Sequence, residues 1–276
     1  MIDLKQLKFE MRTNPVFRFF TYPLGSMKRK KALQKYYDSG ENMRLLDYKG
    51  KHKGKRCFII GNGPSLTLKD LELLKNEITF AANSVFKLFD KTVWRPTYYF
   101  ISDSDVAVDN IDEIGRIKCG QKFIEMRSIP YREQLKPCVF ICTDPTFIIN
   151  IFNIKPHIQE DVTKYLENGG TVIFSIIQLA IYMGFTELYL IGQDFSMPYY
   201  KDRFGIPHRT EAKQTHVGNI PAPFKRIYLY RDTMLNAFKE ARRYCDAHGI
   251  KIVNVSRGGK LEVFERETLE SVLSHV

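Results

Sequence analysis

Cysteine is scarce in this chain, and what little there is does not pair. The five residues Cys57, Cys119, Cys138, Cys142 and Cys245 are an odd number and include no C-x-x-C pair. That argues against a disulfide framework and against a zinc ribbon. Most lie in or beside apolar runs, where cysteine serves as a small buried hydrophobe, and a reducing cytoplasm is the expected setting. Long hydrophobic runs are missing too: none approaches the ~18–20 apolar residues of a membrane span. The start, Met1-Ile2-Asp3-Leu4-Lys5, lacks the basic-then-apolar order of a secretion signal. There are no internal repeats and no low-complexity tracts.

What is present is a 44% hydrophobic composition and a net charge of +11. The charge is unevenly placed. Residues 1–56 hold 15 Lys/Arg against 5 Asp/Glu, and the remaining 220 hold 27 against 26. A basic stretch confined to one end is unlike the spread-out basic surface of a nucleic-acid-binding enzyme, so no nucleic-acid partner is expected. The same segment carries Phe17, Phe19, Phe20 and Tyr22, then Lys28-Arg29-Lys30-Lys31, then Tyr36 and Tyr37. Rings that enter the headgroup layer beside cations that meet lipid phosphates suit an anionic membrane surface. Residues 1–55 are therefore expected to attach the protein peripherally to the inner membrane face. The plainer alternative is a basic helix that packs its aromatics on the main domain.

From Arg56 onward, short apolar runs alternate with helical spacing. Residues 57–60, 78–82, 98–102, 122–126, 138–142, 187–191 and 250–255 read as strands. Leu68 to Leu74, Thr171 to Met183 and about Tyr230 to Ala247 read as helices, the last two stopped by Gly184 and Gly249. Continuous apolar strands alternating with helices predict an α/β, Rossmann-like domain over residues 56–276, its mostly parallel sheet covered on both faces. Phe195 to Lys225, with four prolines and little periodicity, reads as a loop or lid.

Gly61-Asn62-Gly63-Pro64-Ser65 follows the first strand. Its glycines allow a sharp turn and close approach of a ligand, and Pro64 and Ser65 suit a first helical turn with anion-binding N–H groups. The third glycine of the dinucleotide fingerprint and the lysine of a Walker loop are both absent. Asn83-Ser84, Ser102-Asp103-Ser104-Asp105 and Gly192-Gln193-Asp194 fall at other strand ends, where a parallel sheet presents its carboxyl edge. An Asn there can read a base or ribose edge; an Asp can hold a ribose hydroxyl, a metal or an acceptor hydroxyl.

These residues, with Trp94-Arg95-Pro96-Thr97-Tyr98-Tyr99 and Gly169-Gly170-Thr171-Val172, make residues 55–220 resemble the MptE-like family, named for a 6-hydroxymethylpterin diphosphokinase. The chain is also similar to Maf-type flagellin-modifying proteins and to the sialyltransferases of glycosyltransferase family 42. The sialyltransferase resemblance implies a CMP-sugar donor near Asn62, Gly63, Ser65, Asn83 and Asp194, no metal cofactor, and a histidine base in the loop after Gly192-Gln193-Asp194. That loop offers His216, and His208 second; a neutral imidazole can take the acceptor hydroxyl's proton. Arg203, Arg209 and Lys213 could neutralise the leaving phosphate. The chain has Asn219 where the family places its base and Ser196 where it places a tyrosine. The diphosphokinase resemblance implies ATP and magnesium held by Asp103, Asp105 and Asp194.

The resulting expectation is a cytoplasmic glycosyltransferase acting on a glycan or lipid-linked acceptor. Its nucleotide-sugar donor lies on Gly61, Asn62, Gly63, Pro64, Ser65, Asn83, Asp103, Thr171, Gly192 and Gln193, with His216, Asp194 and His208 as catalytic candidates. Self-association is compatible with this reading. Diphosphotransfer, or a non-catalytic nucleotide-binding assembly role, is the alternative.

Overall fold

The computed structural model describes residues 30–144, 156–196, 199–201, 203, 207–209 and 224–274. In chain order its strands are β1 (Arg56–Ile60), β2 (Thr79–Ala82), β3 (Tyr98–Ile101), β4 (Gln121–Glu125), β5 (Cys138–Ile141), β6 (Thr143–Asp144), β7 (Leu166–Glu167), β8 (Glu187–Ile191), β9 (Tyr199–Lys201), β10 (Pro207–Arg209), β11 (Lys251–Asn254) and β12 (Glu265–Arg266). Eight of them form one sheet in the order β12-β11-β8-β1-β2-β3-β4-β5. Every pairing in that sheet is parallel, as the continuous apolar runs require.

Alternate residues of each strand feed two cores. Cys57, Ile59, Phe80, Phe100, Phe123, Leu188 and Leu190 face one, and Phe58, Ile60, Ala81, Ile101, Ile124, Tyr189 and Ile191 the other. The first core is covered by α6 (Val172–Tyr182) and α7 (Phe224–Ala247). Six apolar side chains of α6, from Ile173 to Ala180, are buried; large ones contribute about 1.5–3 kcal/mol each. The second core is covered by α1 (residues 30–38), α2 (Leu68–Leu73), α3 (Ser104–Asp109), α4 (Ile111–Arg116), α5 (Arg132–Leu135) and α8 (Leu269–Ser274).

Two expectations change. Residues 30–55 pack as part of the sheet domain rather than apart from it. Tyr36 is wholly buried, and its hydroxyl donates to the Phe140 carbonyl at 3.1 Å. Leu45 and Tyr48 enter the opposite core, Arg44 donates to the Cys138 carbonyl at 3.0 Å, and the Tyr37 hydroxyl donates to the Lys164 carbonyl at 2.7 Å. Tyr36 and Tyr37 thus serve the plainer alternative; residues 1–29 lie outside the described residues. The span read as a lid also contains structure. β9 and β10 form an antiparallel hairpin with His208 opposite Tyr200, and α7 begins at Phe224 rather than near Tyr230. Pairing across a hairpin needs only three residues a side, too few for a periodicity to register. Among the described residues no helix is long and apolar enough to cross a membrane, and the five cysteines are free.

Candidate functional site

The chain runs outward from β1 through β5, then returns to place β8 on the other side of β1. The strand order therefore reverses between β1 and β8, and in open parallel sheets the crevice beyond the carboxyl ends at such a reversal takes ligands. The two glycine-containing segments, Gly61 to Leu66 and Gly192 to Ser196, emerge at this point. They continue the β1–β8 ladder beyond the strands: Gly61 N donates to Ile191 O and Gly63 N to Gly192 O, both at 2.8 Å. The Ser65 amide then donates to Asp194 Oδ2 at 2.8 Å, and the Ser65 hydroxyl to Asp194 Oδ1.

Glycine is required here by proximity. A Cβ on Gly63 would stand 2.5 Å from Asp194 Oδ2 and 2.6 Å from the Gly192 carbonyl, and one on Gly61 would meet the Gln193 side chain. Gly192 itself has φ +66°, a conformation glycine adopts without a Cβ penalty.

A third segment joins them, and the sequence reading missed it. After β11, Ser256-Arg257-Gly258-Gly259-Lys260 folds over Asp194. Gln193 N donates to Ser256 Oγ at 2.8 Å, and Lys260 N donates to Asp194 O at 2.6 Å. Gly259, at φ +92°, lies against the Asp194 backbone with no room for a Cβ. Arg257 reaches across to Asp70 of α2, its Nη2 at 2.6 Å from Oδ1. The missed signal was the one used for the first strand: paired glycines with a hydroxyl residue just past a buried run.

The turn is not the first turn of a helix, as the sequence suggested. Thr67 caps α2 in a reciprocal box with Asp70, so the helix starts at Leu68. Thr67-x-x-Asp70 supplies a better start than Pro64-Ser65, because it satisfies two orphan donors at once. Protein acceptors consequently occupy the N–H groups of Gly61, Gly63, Ser65, Leu66 and Thr67. What the crevice leaves unpartnered among the described residues is amide: Asn62 Oδ1, Asn83 Oδ1 and Gln193 Nε2 are buried without a hydrogen bond. Asn62 and Asn83 are neighbours, since Asn62 Nδ2 donates to Ala82 O at 3.0 Å. Asn83 holds φ +50°, and its carbonyl accepts from the Tyr99 hydroxyl at 2.6 Å. Orphaned buried polar atoms are rare in native proteins, and a cluster of them invites a ligand.

The remaining expected residues are placed as follows. Pro64 is exposed on the turn. Thr171 caps α6, its side chain accepting from Ile173 N. Because α6 ends at the amino edge, where Gly50 N donates to Tyr182 O at 3.0 Å, Thr171 lies at the carboxyl edge. Asp103 follows β3, three strand spacings from Asp194, or about 14 Å. The Asp194 carboxylate accepts from Ser65, and the Asp105 side chain lies outside the described residues. Among the described residues no group of three His, Cys, Asp or Glu is arranged to hold a metal. Expected among the catalytic groups, Asp194 in this geometry positions the turn. Beside Asp103 stands Glu125, at the end of β4. Burial pushes its carboxyl up, Arg127 opposes this, and Asp103 adds to it; Arg127 binds it through N at 2.8 Å and Nε at 2.9 Å. His208 is described by its backbone in β10 alone, and His216 and Lys213 lie outside the described residues.

No curated protein sequence matches the chain. Among solved structures the chain is similar to the sialyltransferase CstII from Campylobacter jejuni, solved with the substrate analogue cytidine-5'-monophosphate. Identity is 16%, covering 78% of this chain and 85% of that one, with a TM-score of 0.33; this likeness is too distant to bear on the chemistry. The family described as 6-hydroxymethylpterin diphosphokinase MptE-like matches residues 31–199, more than half of the chain, and the protein belongs to that family.

Proposed function

We propose that the protein is a transferase whose nucleotide-activated donor binds in the crevice between β1 and β8. The carrying observation is the trio of unpartnered amide atoms on Asn62, Asn83 and Gln193 at the strand-order reversal. Two carbonyl oxygens and one NH2 group match a ligand edge that offers both donors and acceptors, as a nucleobase or a ribose diol does. The reaction proposed is transfer of a sugar, a nonulosonic acid from a CMP donor being the leading case, to a glycan or lipid-linked acceptor. The acceptor oxygen forms the new bond to the sugar carbon, the bond to the nucleotide phosphate breaks, and CMP leaves. The acceptor's proton passes to a base, for which His216 is proposed. No metal cofactor is assigned a role. A cytoplasmic enzyme at the inner membrane face, held there by residues 1–29, completes the proposal.

The family description favours a second reading, diphosphate transfer from ATP with magnesium to a pterin. On that reading Asp103, Asp105 and Asp194 would hold the magnesium. Thermal shift separates the two. A ligand that binds only the folded state raises stability by about 2.7 kcal/mol at a hundredfold excess over Kd. Stabilisation by CMP without metal, lost in Asn62→Ala and Gln193→Ala, supports the first reading; stabilisation by ATP with magnesium alone overturns it. His216→Ala should stop turnover and leave CMP binding intact, and an active variant removes His216 from the mechanism.

A further inference from the structure

We propose that the groove between α7 and the segment following β11 is a phosphate-binding subsite serving the neighbouring crevice, an inference that rests on the nucleotide reading only for what lies beside it. The groove is lined by Arg231, Leu235, Lys239 and Arg242 of α7, facing Phe195, Lys260, Glu262 and Val263. The four α7 residues fall at i, i+4, i+8 and i+11, one stripe of the helix. Four cations thus face a single carboxylate, in a chain whose residues after 56 are otherwise almost balanced in charge.

The cations are not equally committed. Arg242 is held by Asp246 at 2.7 Å and Glu265 at 3.2 Å. Arg231 lies over the Phe195 ring, 5.6 Å from its centroid, with exposed Asp232 at 3.4 Å. Lys239 and Lys260 are exposed, and among the described residues neither has an ion-pair partner. Their ammonium groups are the available charge.

The groove also continues the crevice. Phe195 follows Asp194 directly and takes φ +49° there. Its ring packs edge-on to Phe238, whose ring packs in turn on Phe264. Lys260 is fixed at the same point by the hydrogen bond its backbone N–H donates to Asp194 O. Five N–H groups of the turn after β1 are spent on protein acceptors and residues 61–66 include no cation, so a phosphate at the crevice gains its counter-charge from this neighbouring groove.

The test uses the full chain, with inorganic pyrophosphate and CMP as separate probes read by thermal shift and calorimetry. Wild type should bind pyrophosphate. Lys239→Glu/Lys260→Glu should weaken it by about tenfold or more, the value of one lost charge-assisted contact. Lys49→Glu/Lys55→Glu, the same charge change at the opposite end of the sheet, should leave binding within about twofold, which separates a local site from net charge. Both pairs are exposed, so their melts in the absence of ligand should match wild type. Competition between CMP and pyrophosphate marks the subsite as the donor's own phosphate position; simultaneous binding marks it for a phosphate-bearing acceptor. Wild type that fails to bind pyrophosphate, or equal loss in both charge pairs, or no loss in the groove pair, overturns the proposal. If pyrophosphate binding depends on Lys239 and Lys260 while no nucleotide binds, the groove stands and the nucleotide crevice falls.

Discussion

Gly63→Ala is the sharpest perturbation of the crevice. The added methyl would stand 2.5 Å from Asp194 Oδ2, 2.6 Å from the Gly192 carbonyl and 2.8 Å from Asp194 Cγ. None of these is the free end of a long side chain. The Asp194 carboxylate is held on Ser65 and its backbone is pinned by Lys260 N at 2.6 Å, so the neighbour can yield only by breaking those bonds. Overpacking alone costs about 1–3 kcal/mol, and loss of a charged hydrogen bond to Ser65 adds about 1.5–3 kcal/mol. Together they predict a loss of about 3–5 kcal/mol, which for a domain of this size lowers Tm by about 6–20 °C. Gly258→Ala is the internal control. It lies in the same cluster, but its Cβ would meet only Ser65 Cβ, at 3.8 Å, and its effect should stay within about 0.5 kcal/mol. Thermal melts of the two variants beside wild type decide the matter, with hydrogen exchange at the Ser65 amide as the local reporter. Equal Tm values for Gly63→Ala and Gly258→Ala, with the Ser65 amide still protected, would refute the account of why this turn is glycine.

Asp194→Ala should cost about 2–4 kcal/mol, because two donors of Ser65 lose a charged acceptor; a melt within a degree of wild type would show that the carboxylate does not hold the turn. Gly259→Ala combines a positive φ with a blocked Cβ and should destabilise by about 2–4 kcal/mol, with exchange rising in residues 192–196; unchanged exchange there would separate this segment from the crevice. His52 supplies a pH test. Burial, then Lys55 and Lys51, lower its pKa below 6.5, while its Nε2 meets the Tyr98 hydroxyl at 2.7 Å and its ring stacks on Phe185. The unfolded chain takes up the proton first, so this group's contribution is complete above pH 6.5 and is lost as pH falls below it. Denaturant midpoints across about pH 5 to 8 should therefore fall on acidification in wild type and less so in His52→Phe; parallel slopes contradict the assignment.

Apolar continuity made the sheet legible. Glu187–Ile191 was expected over those very residues, and the other long strands to within a residue or two, because a strand buried on both faces is mostly a continuous apolar run, with polar residues such as Lys122 and Glu125 held at its ends by hydrogen bonds. The crevice was half legible. Glycine pairs mark where backbones must touch, so Gly61, Gly63 and Gly192 stood out, but the same sign at Gly258-Gly259 passed unread for want of a conspicuous partner. The occupant of the Ser65 amide was not legible at all. Asp194 is 129 residues away, and no local pattern reports that a carboxylate will fill the place expected of a phosphate. The 3-10 segment Asn83–Lys91 was also missed, its short apolar spacing being overridden by the tertiary packing of Val85 and Leu88.

The buried tyrosine of α1 has a consequence for how copies of this chain can meet. β5 is the last strand of the sheet, and its outward carbonyls belong to residues 138, 140 and 142. Arg44 takes the first, Tyr36 the second and the Leu166 amide the third. An edge so occupied offers no template for strand addition, and the opposite edge, β12, is only two residues long. Among the described residues, cross-chain extension of the eight-stranded sheet is thereby opposed at the β5 margin and has little strand to build on at the β12 margin. Helix faces, the β9–β10 hairpin and the carboxyl-edge segments are the described surfaces left for two copies to meet.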